Sequence, residues 1–311
     1  MKEKQSILLT GPADGGDPEY EKLFQSPEGL PFDPSEVRQH VEKLWYVFRS
    51  YADSKFPSQC KKDFHACYWE MLIANALKVH GQYELTSKDK GPDFYVNELN
   101  AWIECVTATN GENDSPDRVP DSNTLGPNDP ATSVASQIPT EKILLRYTNA
   151  FESKRKKFEK YLEDKAVGCD QPCIVAINTA KMNYSEAEPG YPRILAALFP
   201  FGNQFVRVDK GTGETIDTGY CFKVAISKEN GAKVPKTAFA SDDCSQISGV
   251  IWSKIDVWKG FESESIGADL LFVPNPYARN PVLCNFLKIG RFCEISVTDT
   301  HYEFTIKTIT R

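Results

Sequence analysis

The chain has 311 residues, of which 41% are hydrophobic and 25% charged, so it can bury the core of one large domain or two small ones. Its net charge of −7 argues against attraction of nucleic acid to the whole surface, although a local basic groove is compatible with that charge. No apolar run is long enough to span a bilayer, and residues 1–6 lack the apolar region of a signal peptide, so we expect a cytoplasmic protein without a membrane segment.

The first half of the chain predicts an irregular arm followed by helices and short strands. Residues 1–35 are rich in Gly, Pro and Asp, which is typical of an irregular arm. Apolar residues at helical spacing predict helices over residues 34–51 and 68–77. Strands are predicted at residues 83–85, 91–96 and 101–107. A polar stretch with several prolines then fills residues 110–135, a length at which loops are usually functional or disordered.

The second half begins with the clearest helix, predicted over residues 139–165, and a buried strand of the parallel type at residues 172–178. A short helix at residues 194–199 precedes strands predicted at residues 204–208, 220–226, 247–253, 270–273, 292–297 and 302–309. The pattern predicts an α/β fold in which helices flank a mixed central sheet. We assign residues 1–59 to an arm and helix, 60–180 to the core and 181–311 to a strand-rich part packed on that core, all in one continuous domain.

Three acids in the first half, Glu70, Asp93 and Glu104, are candidates for a metal site. Glu70 lies in a predicted helix, Asp93 at the start of a strand, and Glu104 inside an apolar strand where burial would require a partner. Converging carboxylates can hold Mg²⁺ or Mn²⁺, since hard cations prefer oxygen ligands. Each acid also has a simpler interpretation: a solvated helix face for Glu70, a turn for Asp93 and a solvent-facing edge strand for Glu104.

The spacing of Pro92-Asp93 and Glu104-Cys105-Val106, with Glu70 on the preceding helix, resembles the PD-(D/E)XK nuclease superfamily over about residues 60–180. The resemblance implies a restriction-endonuclease-like fold in which Asp93 and Glu104 bind Mg²⁺ with help from Glu70. It also implies a lysine two residues after Glu104 that orients or activates the attacking water. Val106 occupies that position, and valine can neither donate a hydrogen bond nor stabilise negative charge.

The long helix offers a replacement cation. Lys154 falls between Ala150 and Phe158 on the apolar stripe, so it must point inward, snorkel or meet an acid. The superfamily tolerates relocation of this lysine, and we therefore predict Lys154 as its substitute. Arg146 and Lys157 flank the stripe and are candidates for phosphate contacts, with a plain surface position as the simpler interpretation. The nine cysteines form no CxxC pair and the four histidines no HxxxH pair, so we expect reduced thiols and no zinc site.

These residues predict a Mg²⁺- or Mn²⁺-dependent nuclease with Glu70, Asp93, Glu104 and Lys154 as its catalytic residues. DNA or RNA is the expected partner, and the resemblance admits a homodimer. An alternative, suggested by Val106, is a catalytically inactive protein of the same fold that binds nucleic acid or a protein partner. A third interpretation is a metabolic or structural α/β protein in which Pro92-Asp93 is coincidental.

Overall fold

A computed structural model describes most of the chain. The described residues are 7–13, 15–30, 32–87, 91–121, 138–261 and 265–310. The start of the predicted arm and the part of the predicted 110–135 loop that follows residue 121 lie outside these ranges.

Helices form where the sequence supplies both a start signal and an apolar stripe. Helix α2 begins after Asp33, whose side chain accepts a hydrogen bond from the backbone N–H of Ser35, with Pro34 at its first position. The seven α-helices are α1 (Pro18–Lys22), α2 (Pro34–Phe48), α3 (Phe56–Cys60), α4 (Phe64–Asn75), α5 (Thr140–Glu163), α6 (Arg193–Leu198) and α7 (Val257–Gly260) in the described chain. A π-helical turn, Ala76–His80, extends α4.

The centre of the fold is one mixed sheet of eight strands. In spatial order these are β1 (Leu85–Thr86), β2 (Phe94–Val96), β3 (Ala101–Thr107), β4 (Cys173–Asn178), β9 (Gly249–Ser253), β10 (Leu271–Pro274), β11 (Arg291–Val297) and β12 (Tyr302–Thr308). Strands β3, β4 and β9 are mutually parallel, as are β10 and β11, and the other neighbours are antiparallel. The predicted mixed sheet flanked by helices is therefore confirmed.

Each face of the sheet is covered by a hydrophobic core, and β3 shows how the sequence divides between them. Ile103 and Cys105 point into the core formed with α2 and α4, whereas Trp102 and Val106 point into the core formed with α5 and α6. Successive side chains of a strand face opposite sides, so Glu104 lies on the α5 side. Strand β3 therefore places the Glu104 side chain on the side of the sheet that α5, a helix with several lysines, covers.

The C-terminal half contributes four strands, β9 to β12, to the same sheet. Two small antiparallel pairs stand apart from it: β5 (Phe201–Val208) with β6 (Thr215–Phe222), and β7 (Ala225–Ser227) with β8 (Lys233–Pro235). The β5–β6 hairpin exposes much of its apolar surface. Among the described residues, no helix has both the length and the apolar character needed to cross a membrane.

Candidate functional site

The register of β2 against β3 brings two of the predicted acids together. Phe94 pairs with Ile103 and Tyr95 with Trp102, so one further step along the antiparallel register places Asp93 across from Glu104. The Asp93 carboxylate accepts a hydrogen bond of 2.7 Å from the backbone N–H of Cys105. This bond fixes Asp93 beside β3 at the point where β2 begins.

Glu104 is completely buried, in the middle of β3. Its Oε1 atom accepts hydrogen bonds from two ammonium groups, Lys154 Nζ at 2.7 Å and Lys157 Nζ at 2.6 Å. Its Oε2 atom is buried without a hydrogen-bond partner among the described residues. A buried carboxylate oxygen in that condition carries a desolvation cost that a cation or another donor would remove.

The two lysines reach Glu104 from α5, where a spacing of three residues puts them on one face of the helix. The Lys154 side chain is 16% exposed and that of Lys157 is 50% exposed. Burial lowers the pKa of Lys157, but the adjacent Glu104 carboxylate more than compensates, so the pKa of Lys157 lies above its ordinary value. The Lys157 ammonium group therefore stays charged at neutral pH.

Glu70 reaches the same charge cluster from α4, and both Glu70 and Asp93 are partly buried. Burial and the negative charge of Asp93 raise the pKa of Glu70 well above its ordinary value. Burial and the charge of Glu104 raise the pKa of Asp93 to about 6, against the lowering effect of the Cys105 N–H and Lys154. Negative charge is thus in excess around the three carboxylates even with two lysines present.

Arg146 and Val106, two other residues considered in the sequence analysis, are not part of this charge cluster. Arg146 donates from Nε to the carbonyl oxygen of Thr109 at 3.0 Å, and the eight residues that separate it from Lys154 amount to about 12 Å along a helix. Val106 is partly buried and packs against the core on the α5 side. It contributes apolar contact on the face where Glu104 points.

The described part of the chain contains no group of three or more His, Cys, Asp or Glu side chains already arranged to hold a metal ion. The residues with suitable chemistry are the carboxylates of Asp93, Glu104 and Glu70. Magnesium keeps several waters and is commonly bound through only one or two carboxylates, so a complete protein cage is not a requirement. Oε2 of Glu104, which has no partner among the described residues, is the atom best suited to join such a shell.

Lys157, which the sequence predicts as a phosphate contact, forms an ion pair with Glu104 in the structure. The available signal was its spacing of three residues from Lys154, which predicts that one acid can meet both. Tyr161, which was not among the predicted site residues, lies one further turn along α5. Burial and the charge of Glu104 raise the pKa of this phenol.

No family model, no curated protein and no solved structure matches the chain. We therefore infer its function from the geometry of the site.

Proposed function

We propose that the protein is a metal-dependent nuclease with a restriction-endonuclease-like fold, and that Glu70, Asp93, Glu104 and Lys154 form its active site. One observation carries the proposal: Glu104 is completely buried, bound to two lysines through Oε1, and without a partner at Oε2 among the described residues. A purely structural acid in a β-strand would be expected to have both oxygens satisfied. Such an oxygen, beside two other acids, suits a cation-binding role.

The donor set fits Mg²⁺ or Mn²⁺, with Asp93 and Glu104 as ligands and Glu70 assisting. Such an ion, when bound, polarises a phosphate oxygen and lowers the pKa of a coordinated water. Burial and, after it, the neighbouring carboxylates raise the pKa values of Asp93 and Glu70, and a bound divalent ion would favour the ionised form of both acids, which supports this assignment.

The two lysines would have separate tasks. Lys154 is the more buried and hydrogen-bonds Glu104 directly, which suits a cation that orients the acid and stabilises negative charge developing on a phosphate. Lys157 is half-exposed, so its ammonium can leave Glu104 Oε1 for a phosphate oxygen at little desolvation cost. Together they would replace the one lysine that the nuclease resemblance implies on β3, at the position that Val106 occupies.

The proposal is tested by Mn²⁺ titration calorimetry and by cleavage of DNA and RNA, single- and double-stranded, with Mg²⁺ or Mn²⁺. Glu104→Gln should abolish cleavage and weaken Mn²⁺ binding by at least about a hundredfold, because loss of a group that merely supports a ligand already costs about 10- to 100-fold. The matched control is Glu163→Gln, because Glu163 is exposed near the end of α5. Circular dichroism establishes that each variant is folded.

Cleavage by Glu104→Gln at the parental rate would contradict the assignment. Activity that depends on Glu104 but requires no divalent ion would contradict the proposed metal dependence, although it would still support the location of the active site.

A second candidate function is a catalytically inactive protein of this fold that binds nucleic acid. It is favoured by the contact of two ammonium groups with one Glu104 oxygen, which already supplies the positive charge that a metal would bring. A protein that binds nucleic acid, but neither cleaves it nor binds Mn²⁺, would support this second function. Exposed Lys156 and Lys160 extend the basic character of α5, and their replacement should then weaken binding and reduce its salt dependence.

A further inference from the structure

Strand β12 forms one outer edge of the main sheet. It is seven residues long, from Tyr302 to Thr308, and in the described chain it pairs with β11 alone. The opposite edge strand, β1, has two residues. A long open edge offers backbone donors and acceptors to another strand, so β12 is the natural place for pairing with a partner.

The hydrogen bonds at the two ends of the β11–β12 hairpin show which residues face this open edge. Thr298 donates to the carbonyl of His301, and Ile309 donates to the carbonyl of Gly290, both between β11 and β12. Because backbone direction alternates along a strand, the even-numbered residues of β12 direct their N–H and C=O groups outward. These residues are Tyr302, Phe304, Ile306 and Thr308.

The side chains of β12 are self-complementary in charge. Glu303 and Lys307 are both exposed and lie on the same face of the strand, two positions on either side of Thr305. If two copies of β12 pair antiparallel about Thr305, Glu303 of each copy stands opposite Lys307 of the other. No other antiparallel register places these two residues directly opposite one another.

We propose that β12 pairs antiparallel with β12 of a second copy of this chain, in the register centred on Thr305, to form a two-fold symmetric dimer with a continuous sheet. The outward-facing residues would then pair as Tyr302 with Thr308 and Phe304 with Ile306. This register uses every outward backbone group of β12. It also follows the rule that a two-fold interface is made from one self-complementary surface.

Apolar surface next to β12 also supports pairing with a second copy of the chain. The Phe304 ring lies 5.5 Å from that of Phe201, which in turn lies 5.3 Å from that of Tyr220 on the β5–β6 hairpin. Phe222, the cross-strand neighbour of Phe201 in this hairpin, is 77% exposed. An exposed aromatic side chain near an open strand edge indicates a surface that is covered in an assembly.

An isolated lysine on an edge strand commonly discourages pairing. Here Lys307 also forms an ion pair of 2.6 Å with Glu294 on β11. The presence of Glu303 reverses the effect for self-association, since each charge meets its opposite in the proposed register. The proposal does not depend on the nuclease assignment, because none of the four site residues lies on β12.

The test is sedimentation velocity of the full chain and of two charge variants, Glu303→Lys and Lys307→Glu. The parent should sediment as a dimer, and each variant alone should dissociate about tenfold more readily, because like charges then face each other twice across the axis. An equimolar mixture of the two variants should recover the dimer, since the lysine introduced in one variant then faces the glutamate introduced in the other. Circular dichroism establishes that both variants are folded.

Ile306→Pro gives an independent check, because it removes an outward N–H while the bonds to β11 remain. This variant should be monomeric. A parent that is monomeric at tens of micromolar would overturn the proposal, as would a dimer dissociation constant that is unchanged in both charge variants. Failure of the mixed variants to associate would overturn the register.

Discussion

Replacement of Asp93 by asparagine should stabilise the metal-free protein, although it removes a residue of the proposed active site. Asparagine has nearly the same shape, and its side-chain oxygen can still accept the 2.7 Å hydrogen bond from the Cys105 N–H. What changes is the charge. Asp93 stands beside Glu104 and Glu70, and Lys154 and Lys157 compensate that cluster only in part.

The size of the effect follows from the pKa of Asp93, which burial and Glu104 raise from 3.8 to about 6. The folded protein therefore retains a proton that the unfolded chain releases between about pH 4 and pH 6, so the free energy of unfolding falls as the pH rises through this interval. Two pKa units correspond to about 3 kcal/mol, which is an upper value for a partly buried group.

The assay is urea denaturation of the parent and of Asp93→Asn near pH 8 and near pH 4, without metal. The variant should be more stable by up to about 3 kcal/mol at the higher pH, and the difference should vanish at the lower pH, where the parental carboxyl is also neutral. Asp114→Asn, at an exposed position, is the control. A variant less stable than the parent near pH 8, or a difference independent of pH, would refute the reasoning.

Two further pairs of substitutions test what stabilises the site and the sheet. Lys154→Met should reduce the free energy of unfolding by about 3 kcal/mol and Lys157→Met by about 1 kcal/mol, because Lys154 is the more buried partner of Glu104; equal losses in urea denaturation would contradict this order. Gly290→Ala should cost about 3 kcal/mol, since its φ is +81° and a Cβ would stand 2.5 Å from the Leu270 carbonyl oxygen. Gly213→Ala, with φ +75° and open space around it, should cost about 1 kcal/mol, and the difference in thermal denaturation checks the steric contribution.

Most elements of the main sheet were predictable because their signals are local. Strand β3 has the predicted limits, Ala101–Thr107, and β4 lies within one residue of its predicted start, since both are short apolar runs between turn residues. Helix α5 was predicted for a similar reason, its long apolar stripe. Local sequence patterns do not specify which distant strands pair, so only the structure shows that β9 lies between β4 and β10.

The β5–β6 hairpin shows another limit of sequence patterns. Strands are predicted at residues 204–208 and 220–226, whereas the second strand of the hairpin is Thr215–Phe222, and Val206 and Ile216 are exposed over more than half of their surface. Periodicity identifies a face of a strand, but it does not tell whether that face meets this chain or another molecule. In the same way, the sequence predicts Lys157 as a phosphate contact, and the structure adds an ion pair between its ammonium group and Glu104.

The lysines of the site come from α5 and not from the strand that carries Glu104, so the site forms only when helix and sheet meet. A lysine at position 106 would stand on the same strand as Glu104, and its placement would require only that strand. With Val106 there, the ammonium groups come from α5, which is separated from β3 by more than thirty residues of chain. Glu104 is compensated only when α5 docks on the sheet, since an unpaired buried carboxylate is costly. Docking of α5 and assembly of the charge cluster are therefore one event, and any change that loosens α5 should also disorder the carboxylates.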